Sequence, residues 1–523
     1  MRIEISPSFE TWSEQFALGS PIPGVGDGDR EPLFADFDGP LAGRLFPGVG
    51  ALLADLNADA PALGFAPLTA ADASLGDLRF GDMTVDVTRI PLGIEVGLHD
   101  RLAIETLVPI VRSDVATSFQ FDPSTASLAP LDLALDTVTL FPALATALAQ
   151  LQALVDGGTL TPAQRATATT LLSDAAAFDA ALRRRAAAGG FLPLSGTPAG
   201  GAIQTRYGTL TSGFTGFGLT LPALGLASAA TAAQLDRILT GTPVGGERLE
   251  GTVRGWSVGE IEVGARLGLL DTFAGEPTLG PPAAPSPPDS SHTAEEAPAA
   301  PRMNPSAAGP PADHATRLLR LRTSVGAKVR FTLSDPDRTP FLDPRNFVGQ
   351  PIGDGQTDIE LALYQDMAVG SRFLLVAAGR YGIQRADRLT MRIHPPSQPI
   401  GLASQEVAVD RDLGDYFALR VAPRLRLNEF VAFGAEYSYW NKKSDAFTVA
   451  GTGGPSSAAP LRAETHERRH RLGVGVYYRT ARSDSRAPLE LAFVFQTAVA
   501  GSGGQTPASQ LISASLRFPI HLF

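Results

Sequence analysis

Residues 417–440, FALRVAPRLRLNEFVAFGAEYSYW, hold two runs of period-two alternation that meet across a turn of a few residues. On the first run Phe417, Leu419, Val421, Leu425 and Leu427 share one face, and Ala418, Arg420, Ala422, Arg424 and Arg426 share the other, as a half-apolar strand requires. The second run sets Val431, Phe433, Ala435, Tyr437 and Tyr439 against Ala432, Gly434, Glu436 and Ser438, with Asn428 and Glu429 at the turn. This is the pattern of a β-hairpin. A soluble sandwich would bury the apolar face, whereas a lipid-facing barrel would turn it outward, and the hairpin alone is compatible with both.

Composition narrows the choice. The chain has 523 residues, 44% of them hydrophobic, and its mean hydropathy is +0.05. No apolar run reaches the roughly 18 residues of a membrane helix, which excludes a helical membrane protein. The most apolar helical candidate, 140–155, is short and carries Pro142 near its start. With no cysteine there is neither a disulfide framework nor a thiolate metal site. A net charge of −11 argues against a nucleic-acid partner, which would need a basic face. The first residues, MRIEI, already alternate like a strand, so no signal peptide is read there and its place in the precursor is left open.

Alternating segments recur at 2–16, 82–98, 101–114, 253–270, 318–333, 356–368, 372–386, 414–427, 430–442, 468–481, 488–499 and 509–522, twelve in all. Their connections sort by parity, short after segments two, six, eight and ten and long after one, three, five, seven and nine; the long connection after segment four and the short one at 500–508 after segment eleven are exceptions. Short periplasmic turns and long outer loops are the habit of an outer-membrane barrel, and a sandwich has no reason to sort its loops this way. The expected fold is therefore all-β, a twelve-stranded antiparallel transmembrane β-barrel with helical insertions in the outer loops, located in the bacterial outer membrane. Residues 17–81 form one long outer loop and 116–251 another, too long for simple connections. The second carries helical patterns at 140–155, at 161–188 with Pro162 in its first turn and Gly189-Gly190 at its stop, and at 229–239. The run 272–316, containing GPPAAPSPPDSSHTAEEAPAAPRMNPSAAGPP, reads as a flexible Pro/Ala-rich connection on the periplasmic side.

In such a barrel the polar face of each strand points inward. The expected lumen-lining set is Glu260, Glu262 and Arg266 on segment four, Arg320, Arg322, Lys328 and Arg330 on segment five, and Asp358 and Glu360 on segment six. Arg380, Arg420, Arg424, Glu436, Arg471, Glu490 and Arg517 continue it on segments seven to twelve. Glu4, Glu10, Glu95 and Glu105 add acids from segments one to three. Two readings stay open: opposed charged walls that orient a polar or zwitterionic solute, or a salt-bridge network that fills a narrow barrel, since buried charges need partners.

Catalytic and metal patterns are weak. The seven histidines (His99, His292, His314, His394, His466, His470, His521) are scattered without informative spacing. His466 and His470 stand four apart but lead into a strand, where that spacing holds no metal. Asp335, Asp337 and Asp343, like Asp27 and Asp29, read as turn residues without the spacing of a calcium loop. No cofactor and no enzymatic activity are expected, although a barrel hydrolase is kept as a rival.

The chain ends ISASLRFPIHLF, an amphipathic strand closed by Phe523, which stands out of phase with the apolar set. That ending resembles the assembly signal of bacterial outer-membrane barrels, and implies the barrel-assembly machinery as a partner beside outer-membrane lipid. Residues 91–113 (PLGIEVGLHDRLAIETLVPIVRS), 258–270 (VGEIEVGARLGLL) and 353–384 (GDGQTDIELALYQDMAVGSRFLLVAAGRYGIQ) resemble the envelope transporter family of the MetA pathway of phenol degradation. The resemblance covers about half of the chain. It implies a small outer-membrane channel for passive uptake of small molecules, aromatic or other small organic compounds among them; the rival is a plugged structural or adhesion barrel.

Overall fold

The computed structural model describes residues 1–17, 28–33, 35–42, 45, 49–130, 139–187, 190–241, 244–249, 252–273, 319–331, 343–348, 355–395, 398–450, 457–463, 465–480, 489–503 and 506–519. Twelve antiparallel strands close into one barrel: β1 (Arg2–Ile5 and Ser8–Trp12), β2 (Asp77–His99), β3 (Leu102–Asp122), β4 (Thr252–Val258 and Ile261–Asp271), β5 (Leu319–Phe331), β6 (Asp358–Val369), β7 (Phe373–Gln384), β8 (Tyr416–Arg426), β9 (Val431–Lys442), β10 (Glu467–Arg479), β11 (Glu490–Ser502) and β12 (Gln510–Pro519). Each pairs with its sequence neighbours, and β12 closes on β1 with Ser513 opposite Ser8 and Arg517 opposite Glu4. Closure removes both sheet edges, which a strand array in lipid requires because nothing there can bond an exposed N–H. No helix among the described residues is long and apolar enough to cross a membrane.

The pleat then sorts the side chains. Leu92, Val263, Val329, Leu361, Phe433, Leu472, Val474 and Phe493 stand exposed on the outer wall, while Arg322, Arg330, Glu436 and Arg471 on the same strands are buried inside. A soluble protein would not expose so broad an apolar surface, so the outer wall is the one that meets lipid. At the 427–430 turn Asn428 Oδ1 accepts from the backbone N–H of Phe430 and Val431, each at 2.8 Å, which fixes the hairpin.

Strands β2 and β3 differ from expectation. They continue paired from Asp77 opposite Asp122 down to His99 opposite Leu102, well beyond the wall, so the first two long connections are shorter than the sequence suggests. Pro91 faces Pro109 across this pair, Pro7 lies one row away on β1, and β4 breaks at Gly259, whose N–H donates to Pro109 O at 2.8 Å. Each proline removes a ladder donor, so the ladder is thinned along one belt of the wall. Beyond it Trp12, Met83, Val85, Val87, Val111 and Val115 pack as an apolar cluster, beside the buried pair Glu10 and Arg89.

At the loop end the described residues form five helices: α1 (Val49–Leu63), α2 (Leu140–Asp156), α3 (Pro162–Ala187), α4 (Pro198–Gly216) and α5 (Ala232–Thr240). α2, α3 and α5 lie where periodicity places them; α1, with Pro61 inside it, and α4, rich in Gly and Thr, escaped it. One apolar core joins Leu53 and Leu56 of α1, Phe178 of α3 and Ile203 and Phe214 of α4 to Leu78 on the extended β2. Buried Asp59 on α1 fastens this cap, accepting from Arg184 Nε and Nη2 at 3.0 and 2.6 Å and pairing with Arg185 Nε at 2.7 Å. Asp59→Ala should loosen the cap by about 3 kcal/mol, because the buried Arg185 is left without its counter-ion while the exposed Arg184 is resolvated. Hydrogen exchange would then speed up in α1 and α3 and stay unchanged in the barrel ladder; uniform acceleration would refute the cap as a separate unit.

Other loop strands were absent from the sequence reading. Asp387–Arg392, Glu406–Asp412 and Ala446–Val449 form a small sheet. Glu14–Phe16 leaves the barrel to pair with Arg30–Pro32 and Thr506–Pro507, so the first segment ends its barrel course at Trp12. The Pro/Ala-rich connection from 274, Gly189, Asp27, Asp335, Asp337, His292, His314, His521 and Phe523 lie outside the described residues.

Candidate functional site

Inside the barrel, charged residues alternate along each strand with Gly, Ala and Ser, and the small residues make room for the long ones. β5 shows the arrangement best. Arg322 pairs with Asp271 of β4 at 3.1 Å and Asp366 of β6 at 3.9 Å, and Lys328 with Glu262 at 3.0 Å and Glu360 at 3.4 Å. Arg330 pairs with Glu260 at 3.2 Å and with Asp358. Each of these three cations thus stands between acids of both flanking strands, because inward side chains of neighbouring strands lie about 5 Å apart. Between these rows Ser324 and Gly326 leave space in which Arg266 bonds Glu105 at 3.3 Å and lies 4.3 Å from the Tyr364 ring centre. Arg320, at the strand's start, is only half buried; it donates to the Gly370 carbonyl at 3.2 Å.

The wall from β7 to β11 is built around two carboxylates. Glu360 accepts from Tyr416 Oη at 2.9 Å and pairs with Arg380 at 3.9 Å. The Tyr416 ring stacks on Trp440 at 4.4 Å and fills a notch over Gly382, where any Cβ would lie 2.1 Å from it. Glu436 accepts from Arg420 Nε at 3.1 Å and Nη2 at 2.6 Å, from Gln496 Nε2 at 2.8 Å and from Tyr477 Oη. Arg424, four residues further on, lies over the Tyr477 ring at 3.8 Å. The circuit closes through β10, β12, β1 and β2. Arg471 reaches Glu10 and Ser509, Arg89 pairs with Glu10 at 4.0 Å, Arg517 with Glu4 at 2.9 Å and Glu490 at 3.8 Å, and Arg2 with Glu95 at 2.6 Å.

Of the sixteen residues expected in the interior, the structure buries Glu260, Glu262, Arg266, Arg322, Lys328, Arg330, Asp358, Glu360, Arg380, Arg420, Arg424, Glu436, Arg471 and Arg517, and leaves Arg320 and Glu490 half buried. It brings all but Arg320 and Arg424 together as opposite charges paired across strands. Arg89, Tyr416 and Trp440 share in this circuit and were not singled out from sequence. The signal was present, since Arg89 shares the parity of Glu95 on β2 and Trp440 that of Glu436 on β9.

Outside the barrel the remaining candidates separate. His470 faces outward and meets Tyr437 Oη at 2.9 Å through Nδ1. Asp343 is held below the ordinary carboxylate range, chiefly by hydrogen bonds from Arg345, the shortest 2.6 Å. His394, in a loop, is pushed down by burial. Among the described residues no three His, Asp or Glu side chains gather as a metal would need.

No protein-family model matches the sequence, and no curated protein matches it. Among solved structures the chain is similar to an outer membrane channel from Pseudomonas putida F1, at 8% identity over 99% of this chain and 94% of that one, with a TM-score of 0.38. It is also similar to the Pseudomonas putida toluene transporter TodX, at 11% identity over 99% and 88%, TM-score 0.26. The translocator domain of the autotransporter NalP from Neisseria meningitidis matches at 6% identity over 99% and 88%, TM-score 0.29. At these identities and scores none of the three transfers a solute or a residue role to this chain.

Proposed function

We propose that the protein is a bacterial outer-membrane channel for passive uptake of small molecules. The observation that carries this reading is a closed wall, apolar outside and charged inside all the way round, the arrangement a polar route across lipid requires. In this reading the short turns are periplasmic, the helical cap and the loop sheet lie outside the cell, and the residues from Glu260 to Arg517 line the path. Aromatic or other small organic compounds are the proposed solutes, as the resemblance of 91–113, 258–270 and 353–384 to the MetA-pathway transporters implies. The chain acts without catalysis, and the barrel-assembly machinery inserts it.

One observation favours a plugged barrel instead: the interior pairs are packed to a few per cent exposure. Purified full-length protein in planar bilayers is expected to give discrete conductance steps, and in liposomes to admit small organic solutes. Protein that shows the heat-modifiable gel mobility of a folded barrel yet passes neither ions nor solute would establish the plugged reading. Stoichiometric labelling by a serine-reactive probe would reopen the hydrolase.

A further inference from the structure

Arg424 departs from the interior pattern of cations placed against carboxylates. It is 2% exposed, and none of its three guanidinium nitrogens has a hydrogen-bond partner. The register explains why. Its ladder neighbours on the inward face are Leu374 of β7 and Gly434 of β9, with Gly475 of β10 beyond, and none offers an acceptor. Tyr477, Ala432, Ala492 and Val494, with Leu374 against them, form an apolar cluster at this level. Glu436 and Asp366 act on Arg424 only through space; Glu436 is already taken by Arg420, Tyr477 and Gln496, and Asp366 faces Arg322.

The contact of Arg424 with the Tyr477 ring is made possible by a glycine. A Cβ at position 434 would stand 3.0 Å from Arg424 Cγ and 3.1 Å from the Tyr477 ring, so Gly434 lets the side chain lie flat across β9 onto that ring. A cation on an aromatic face recovers only part of the hydration a buried guanidinium gives up, and its five N–H donors remain unused. Those donors form a planar fork that matches two carboxylate oxygens better than a spherical anion. The surroundings are apolar and small, so the rest of such a ligand gains by being apolar too.

We propose that Arg424 anchors a binding site inside the barrel for a small monocarboxylate with an apolar body. The carboxylate takes the guanidinium fork in place of the Tyr477 ring face, and the body lies against Leu374, Ala432, Ala492 and Val494. The proposal deepens the channel reading and rests on it, giving the path a station that prefers organic anions to neutral compounds of the same size.

The test is titration calorimetry on the folded full-length protein in detergent, with sodium benzoate as probe and benzyl alcohol as its neutral counterpart. Wild type is expected to bind benzoate about tenfold tighter than benzyl alcohol, and Arg424→Gln to lose that factor while binding of the alcohol stays put. Arg424→Lys, which keeps the charge without the fork, is expected to fall between them, and it carries the test if the glutamine variant does not fold. Equal affinity for the two probes in wild type, or benzoate binding unmoved in the variants, overturns the site. Conductance in potassium chloride is measured on the same preparations. Absence of conductance with benzoate selectivity intact would overturn the channel reading and not the site, and conductance without selectivity would do the reverse.

Discussion

Replacing Arg330 with methionine is expected to cost about 3–5 kcal/mol of unfolding free energy, because two buried acids lose their shared cation at once. Glu260 stands 3.2 Å from Arg330 Nε on one side and Asp358 bonds the guanidinium on the other, and all three side chains are almost fully enclosed. The cost comes from the stranded charges and little of it from the pair itself, since desolvation offsets most of the attraction between buried ions. The triple variant Glu260→Gln, Arg330→Met, Asp358→Asn should therefore recover most of the loss. Urea unfolding in lipid vesicles, read by tryptophan fluorescence, measures all three proteins. A loss below about 1 kcal/mol for the single variant would mean that water reaches these groups freely and that the interior is open at this level.

Val474→Arg is expected to be the most damaging change on the outer wall, at about 2–4 kcal/mol, because a guanidinium there faces hydrocarbon near the middle of its strand. Val474 is 64% exposed and lies between Arg471 and Tyr477, both buried inside, so a single residue step along β10 exchanges interior for lipid. Val474→Leu, on the same position, should be neutral. Phe433 shares the outer wall but sits close to the 427–430 turn, where a cation reaches the interface and the expected cost is at the low end. Folding yield into vesicles, followed by heat-modifiable mobility, separates the cases; an arginine at 474 as harmless as leucine would remove that face from the membrane.

Glu436→Gln shows where reading from sequence alone misleads. As one polar residue on an inward face, Glu436 invites the expectation of a mild effect. In the structure it gathers Arg420, Tyr477 and Gln496 from three other strands, so losing its charge leaves Arg420 enclosed without a counter-ion. The expected loss therefore approaches that of an outer-wall arginine.

What sequence by itself determined follows from the period of the strand. Side chains alternate with period two whatever the partner strand, so the parity of Phe417 to Tyr439 already separates lipid-facing from inward-facing residues, and the sorting of loop lengths already implies an up-and-down barrel. Helices α2, α3 and α5 were legible for the same local reason, through periodicity and Pro162. The continuation of β2 and β3 past the wall, the glycine-rich helix α4 and the loop sheet of 387–449 were not, since each is held by contacts far apart in sequence. The sharpest limit lies on β8. Arg420 and Arg424 have the same residue type, the same face and the same strand, four positions apart, and nothing local distinguishes them. Which of them meets a carboxylate and which an aromatic ring depends on the residues that β7, β9 and β10 place at those two heights. That register belongs to the closed barrel and to no single strand within it.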